Sequence, residues 1–180
     1  MTPTSEKEDF PPIFVERLQT LDPGERARFK RNAGLAIDEA HDVLGLFYKR
    51  LLYDRHFAGR LEEIYFLVTT LYPFEKPLKK KPETPAPELP RRPKNFGASL
   101  GRIRSSIKGA EGLDTRFERL LDADEQQLPF YLRREVRYLV NNGGQIDWEQ
   151  LLKHLLNWND PERWVQRAWA REYFSTTPQE

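Results

Sequence analysis

The sequence predicts an all-α protein: two small helical bundles, residues 1–72 and 96–180, joined by a proline-rich linker or loop at residues 73–95. Three observations predict this. Apolar residues recur at helical spacing in successive segments, and no segment alternates with the period of two that a half-buried strand requires. That periodicity stops between residues 73 and 95, where seven of the chain's 14 prolines fall. All four tryptophans gather between Ile146 and Phe174, in a pair of segments that can bury such rings only against other helices.

In chain order, Phe14, Val15, Leu18 and Leu21 predict a first helix after Pro11-Pro12. Asp22-Pro23 is a cap-then-proline start. The helix that it opens carries Arg26, Arg28, Lys30 and Arg31 and ends at Gly34. This basic segment reads either as a solvated face with Phe29 turned inward or as a phosphate-contacting patch. Asp38 to Leu52 reads as a third helix with Val43, Leu44, Phe47, Leu51 and Leu52 in the core. Leu61, Ile64, Val68 and Leu71 mark a fourth, closed by Pro73. Lys79-Lys80-Lys81 and Arg91-Arg92 in the following loop could trail along a phosphate backbone or simply solubilise a spacer.

Beyond the loop, Phe96, Leu100, Ile103 and Ile107 lie in a narrow arc of a helix, with Gly101 and Arg102 opposite. Gly101 among arginines would let another chain come close to the backbone. Asp114 is expected to cap a short helix in which Phe117, Leu120 and Leu121 point inward. Leu128, Leu132, Val136, Leu139 and Val140 mark the next, which Asn141-Asn142-Gly143-Gly144 stops. In the tryptophan pair, Trp148, Leu151, Leu152, Leu155 and Leu156 follow the i, i+3, i+4, i+7, i+8 pattern behind an Asp147 cap. Asp160-Pro161 is expected to start the last helix, with Trp164, Val165, Ala168, Trp169 and Tyr173 on one broad face and Arg163, Arg167 and Arg171 along its edge.

The totals exclude several function classes. There is no cysteine, so disulfides, thiol catalysis and thiolate metal sites are excluded, in keeping with a reducing cytoplasm. The acidic, polar start does not read as a signal peptide, so none is expected, and no apolar run is long enough to span a bilayer. No phosphate loop, Gly-x-Ser-x-Gly elbow or His-Glu-x-x-His pair is present. Asp122 and Asp124 read as a helix end and the next cap rather than a metal site. His41 and His56 lack ligands at metal spacing, and His154 has no evident base or orienter in the sequence. The expectation is therefore no catalytic residue, no metal and no cofactor.

What remains is arginine. The net charge is only +1, but residues 91–140 carry 11 basic and 7 acidic groups, while residues 1–72 carry 10 and 12. Arg102, Arg104, Arg116, Arg119, Arg133, Arg134 and Arg137 lie on three consecutive helices whose apolar faces must meet, which turns their arginine sides outward. Guanidinium groups stay charged and bind phosphate oxygens bidentately, so such a surface suits a nucleic-acid backbone. The same arginines could instead pair with Glu111, Glu118, Asp122 and Glu135 on a solvated surface.

The C-terminal pattern I-D-W-x-x-L-L, then W, then V-x-x-x-W-A-R-E-Y-F resembles the CasB family, the small subunit of the type I-E CRISPR surveillance complex Cascade. Ser99-Leu100-Gly101-Arg102 resembles its SLGR helix start, Arg116-Phe117 with Leu120-Leu121-Asp122-Ala123-Asp124 its R-F-x-x-L-L-x-A-D segment, and Leu132-Arg133-Arg134-Glu135-Val136 its L-R-R-x-V. The match covers about residues 96–174 in order; the first half matches loosely, through Arg28-Phe29-Lys30-Arg31. The resemblance implies a non-catalytic, cytoplasmic subunit, present in two copies, that contacts other Cascade subunits around the guide RNA and holds the single-stranded non-target DNA through its backbone. Arg102 carries over best, then Arg116, Arg119, Arg133 and Arg134, while Arg171 beside Trp169 is expected to be structural. A helical adaptor that binds only protein is the alternative, and a divergent nuclease would need a carboxylate–metal site.

Overall fold

The structure is a computed structural model that describes residues 5–75 and 94–175; Lys79-Lys80-Lys81, Arg91-Arg92 and most of the 73–95 linker lie outside the described residues. Among the described residues the fold is all-α, with nine α-helices, two short 3-10 turns and no strand.

Helix α1 (Ser5–Gln19) runs through Pro11-Pro12 instead of starting after them. An interior proline costs about 3 kcal/mol, and full burial of a large apolar side chain returns about 1.5–3. Phe10, Phe14 and Leu18 are all fully buried on one stripe, and together they are enough to offset that loss. Phe10 and Phe14 meet Tyr65 with ring centroids 5.5 and 4.8 Å apart. Helix α2 (Pro23–Arg31) begins as its sequence dictates: the Asp22 carboxylate accepts from the Glu25 N–H, and the Glu25 carboxylate accepts from the Asp22 N–H.

The expected helix over Asp38–Leu52 is broken. A 3-10 turn (Ile37–Glu39) is followed by α3 (Leu44–Arg50), which is half the expected length. Asn32, buried at the end of α2, binds the main chain of His41 on both sides, donating to its carbonyl at 3.1 Å and accepting from its N–H at 2.9 Å. Asp42 then takes a left-handed φ of 61°, and the helix cannot run through it. The break also turns Leu44 outward, 38% exposed, while Val43, Phe47, Leu51 and Leu52 are buried.

Helix α4 (Arg60–Leu71) is buried on every side from Ile64 onward, as a helix that is apolar all round must be. Its Thr69 and Thr70 hydroxyls donate back to the Tyr65 and Leu67 carbonyls, so their burial leaves no orphan donor. A 3-10 turn (Tyr72–Phe74) follows. Helices α5 (Phe96–Ser106), α6 (Glu111–Leu121), α7 (Leu128–Asn141), α8 (Trp148–Leu156) and α9 (Trp164–Phe174) complete the chain.

Helices α5 and α9 cross at Gly97. A Cβ there would sit 2.2 Å from the Trp169 carbonyl oxygen, so only glycine permits the approach. A close backbone approach within the chain thus lies at Gly97, one turn before Gly101. Asp114 does not cap α6; it lies inside the helix and accepts from Arg104 and from the Tyr173 hydroxyl, tying α5, α6 and α9 together.

Asp160 holds a turn rather than the start of α9, which begins at Trp164 behind a left-handed Arg163 with φ 49°. The strain is compensated by the Arg163 guanidinium, which donates to the Leu121 carbonyl and to Asp122. This later start leaves Trp164 40% exposed, whereas Trp148, Trp158 and Trp169 are buried. Each buried indole has a partner: Trp148 Nε1 donates to Glu75, Trp158 Nε1 to the Ala123 carbonyl, and Trp169 Nε1 to His154 Nδ1 at 2.8 Å.

The buried side chains of both halves form one cluster, with α4 packed on α7 and α8, and α1 packed on α8. Arg60, at the start of α4, donates to the carbonyls of Leu155 and Leu156 at the end of α8 and pairs with Glu125 at 2.9 Å. Cations belong at such a C-terminus, where carbonyls lack intrahelical partners.

Candidate nucleic-acid interface

The seven arginines singled out in the sequence divide into three settings. Arg104 is turned inward. Its Nε lies 2.7 Å from Asp114 Oδ1 and its Nη2 3.1 Å from Asp114 Oδ2. That bidentate bond holds the Asp114 carboxyl below the usual carboxylate range, and the guanidinium lies near the rings of Tyr173 and Phe174.

Arg116 and Arg134 meet at the α6–α7 seam over Glu135, whose side chain is fully buried. Arg134 Nε donates to Glu135 Oε1 at 2.8 Å, and Arg116 Nε lies 3.6 Å from the same oxygen. Arg134 also donates to the Arg116 carbonyl, and Arg116 lies over the Tyr138 ring at 4.3 Å. Both arginine side chains keep about 30% exposure, so two partly open cations share one buried anion and the seam carries a surplus positive charge. Glu135 Oε2 has no hydrogen-bond partner among the described residues, so the carboxylate is held from one side only.

Arg102, Arg119, Arg133 and Arg137 are exposed. Arg102 stands on α5 away from the buried Phe96, Leu100 and Ile103, and Arg119 stands on α6 at a shallow groove shared with Glu118, Asp122, Gln127 and Tyr131. On α7 the buried positions Leu128, Leu132, Glu135, Val136 and Leu139 leave the opposite side to Phe130, Arg133, Arg134 and Arg137. The Arg133 side chain reaches the turn after α2, where its Cδ lies 3.0 Å from a Cβ built on Gly34.

Sequence reasoning missed the junction of the two halves. Lys30 of α2 and Arg137 of α7 both lie over the Phe74 ring, at 5.0 and 5.8 Å. The α2 basic segment and the α7 arginines therefore form one surface. The signal was present in the α2 charges, but Phe74 falls at the edge of the proline-rich stretch, where no periodicity marks it as a packing residue. Arg26, in the same segment, turns toward the interior and donates to the Glu75 carbonyl.

The other titratable candidates have structural partners. His154 accepts from Trp169, and burial pushes its pKa below the usual histidine value. Asp122 receives Arg163, and Asp124 accepts the Gln126 and Gln127 N–H groups ahead of α7. Among the described residues no group of three or more metal-ligating side chains is gathered, and no helix is long and apolar enough to cross a membrane.

A family model described as CRISPR-associated protein Cse2 matches residues 25–174. A curated relative, the CRISPR-associated protein Cse2 of Thermus thermophilus, is 44% identical over 79 residues, which span 43% of this chain and 45% of that protein. The alignment thus covers a little under half of the curated relative's length. The crystal structure of CasB from M. ruber is similar at 27% identity and TM-score 0.72, covering 93% of this chain and 94% of that one. A Cse2-family protein from Thermus thermophilus gives 29% identity and TM-score 0.67, with 97% and 99% covered. A chain of a CRISPR RNA-guided surveillance complex shares the fold at 21% identity and TM-score 0.73, with 94% of each chain covered.

Proposed function

Because this chain belongs to the CRISPR-associated Cse2 family, we propose that it is a small, non-catalytic subunit of an RNA-guided CRISPR complex. Its basic face holds the sugar–phosphate backbone of the single DNA strand displaced when a target is opened. The observation that carries this reading is the continuous positive surface of Lys30, Arg133 and Arg137, flanked by the partly open Arg116–Arg134 pair. Arg102 and Arg119 add exposed cations on α5 and α6.

The chemistry matches the role. A guide RNA reads sequence by base pairing, so the subunit needs charge and shape rather than base-reading motifs. Strand exchange is nearly balanced in energy, and backbone contacts to the released strand tip it. The candidate acid–base side chains His154, Asp122 and Asp124 hold the fold together, which favours a binding role over a catalytic one.

The test uses the assembled complex. Arg133→Ala with Arg137→Ala should leave assembly and guide RNA intact while weakening target opening and protection of the displaced strand. For every phosphate that is no longer neutralised, the slope of log affinity against log salt should flatten by roughly 0.7. Loss of assembly would assign these arginines to a subunit interface. Unchanged opening, protection and salt slope would leave them as a solvated surface.

A further inference from the structure

We propose that Phe130 is a stacking platform for an unpaired base of the strand that the α7 arginines hold. This rests on the single-strand reading above and adds a recognition element that charge alone does not provide. Phe130 is 63% exposed, a large apolar ring on a helix whose opposite side fills the core. An exposed apolar residue needs no explanation in itself; its setting does.

On α7 Phe130 stands at i relative to Arg133 at i+3, Arg134 at i+4 and Arg137 at i+7, so the four share one side of the helix. Members of that row three or four positions apart are roughly 5–6 Å from each other between Cβ atoms. The Phe130 ring meets Tyr131 at 5.3 Å and 77°, while Arg134 lies over Tyr131 at 5.3 Å. The start of α7 is thus an aromatic pair bordered by guanidinium groups. An apolar protein anchor is disfavoured beside these exposed cations, because it would strip water from Arg133 and Arg137 without pairing them. A nucleotide satisfies both parts: phosphate oxygens take the guanidinium groups and the base covers the ring. Every base has a π-face, so such a platform tolerates any sequence, as a displaced strand requires.

The 180-residue chain is titrated at low salt with a single-stranded oligodeoxynucleotide carrying 2-aminopurine, and with an abasic strand bearing the same number of phosphates. The parent should prefer the base-bearing strand by about 5- to 150-fold, the factor expected for one stacked base, and should quench 2-aminopurine on binding. Phe130→Ala should abolish both the preference and the quench without changing the salt slope, and Phe130→Tyr should retain both. Arg137→Ala should flatten the salt slope and keep the preference. If Phe130→Ala binds both strands as the parent does while Arg137→Ala flattens the slope, the stacking proposal falls and the phosphate reading stands. If Phe130→Ala instead disrupts subunit assembly with strand affinity unchanged, the ring is a protein contact. If the parent shows no salt-sensitive binding at all, both readings fall.

Discussion

Gly97→Ala reverses the sign that helix propensity predicts. Gly97 lies in the first turn of α5, and in an open helix alanine would gain up to about 1 kcal/mol over glycine. Here the new Cβ would lie 2.2 Å from the Trp169 carbonyl oxygen and 2.7 Å from Trp169 C and Cα, against the 3.4 Å at which ordinary contact begins. All three atoms are backbone, so no rotamer change relieves the overlap and α5 and α9 must separate. Separation loosens the Phe96–Trp169 ring contact, now at 5.0 Å, and the Asn95 bond to the Ala168 carbonyl. Overpacking of this kind costs typically 1–3 kcal/mol or more, which exceeds the propensity gain. The expected net loss is about 1–2 kcal/mol, a fall of roughly 2–8 °C in Tm for a chain of this size. Gly112→Ala is the matched control: it lies in α6, is exposed and has nothing within 4 Å of its Cβ. It should be neutral or stabilise by up to about 1 kcal/mol. Denaturant unfolding of both variants reads the difference directly. A Gly97→Ala midpoint equal to or above the parent's would refute the tight α5–α9 crossing.

Three further outcomes follow from the same geometry. Trp169→Ala should cost about 3–5 kcal/mol, and Trp164→Ala much less because it is already 40% exposed; equal losses in denaturant midpoint would contradict the assigned burial. Glu135→Gln should free Arg116 and Arg134 for phosphate, raising single-strand affinity and steepening its salt slope, at a stability cost of about 1–3 kcal/mol; weaker binding by the folded variant would show that the buried anion is needed to position them. For His154, burial lowers the folded pKa below its ordinary 6.5, so the unfolded chain takes up more protons and stability must fall as pH drops below about 6.5. His154→Gln keeps an acceptor for Trp169 Nε1 and should flatten that acid-side loss; an unchanged pH profile of the denaturation midpoint would remove His154 as its source.

Local signals were legible where the chain alone determines the outcome. Asp22 and Asp147 cap their helices, and the Trp148–Leu155 stripe is buried, because each depends on residues within a turn or two. The reading over Asp38–Leu52 failed because Asn32, a residue of the preceding helix, fixes the main chain at His41. Among the arginines, sequence could place all seven on three helices but not distinguish them. Arg104 is satisfied by Asp114, ten positions away on another helix, while Arg137 and Lys30, far apart in sequence, share the Phe74 ring. Helical periodicity shows which side of a helix faces inward; it does not show which neighbouring helix supplies a counter-charge.

The shared core has a consequence for how this polypeptide could be divided. Arg60 closing the end of α8, Glu75 receiving Trp148, and α1 and α4 lying on α8 are all noncovalent contacts between segments on either side of residues 76–93. A covalent link between the two sides keeps them at high effective concentration, about millimolar for a short flexible connection. Scission there would remove that proximity and leave the mating surfaces intact. The gene could therefore be split at this point, and the two products, expressed together, would assemble by complementation into the same buried interface.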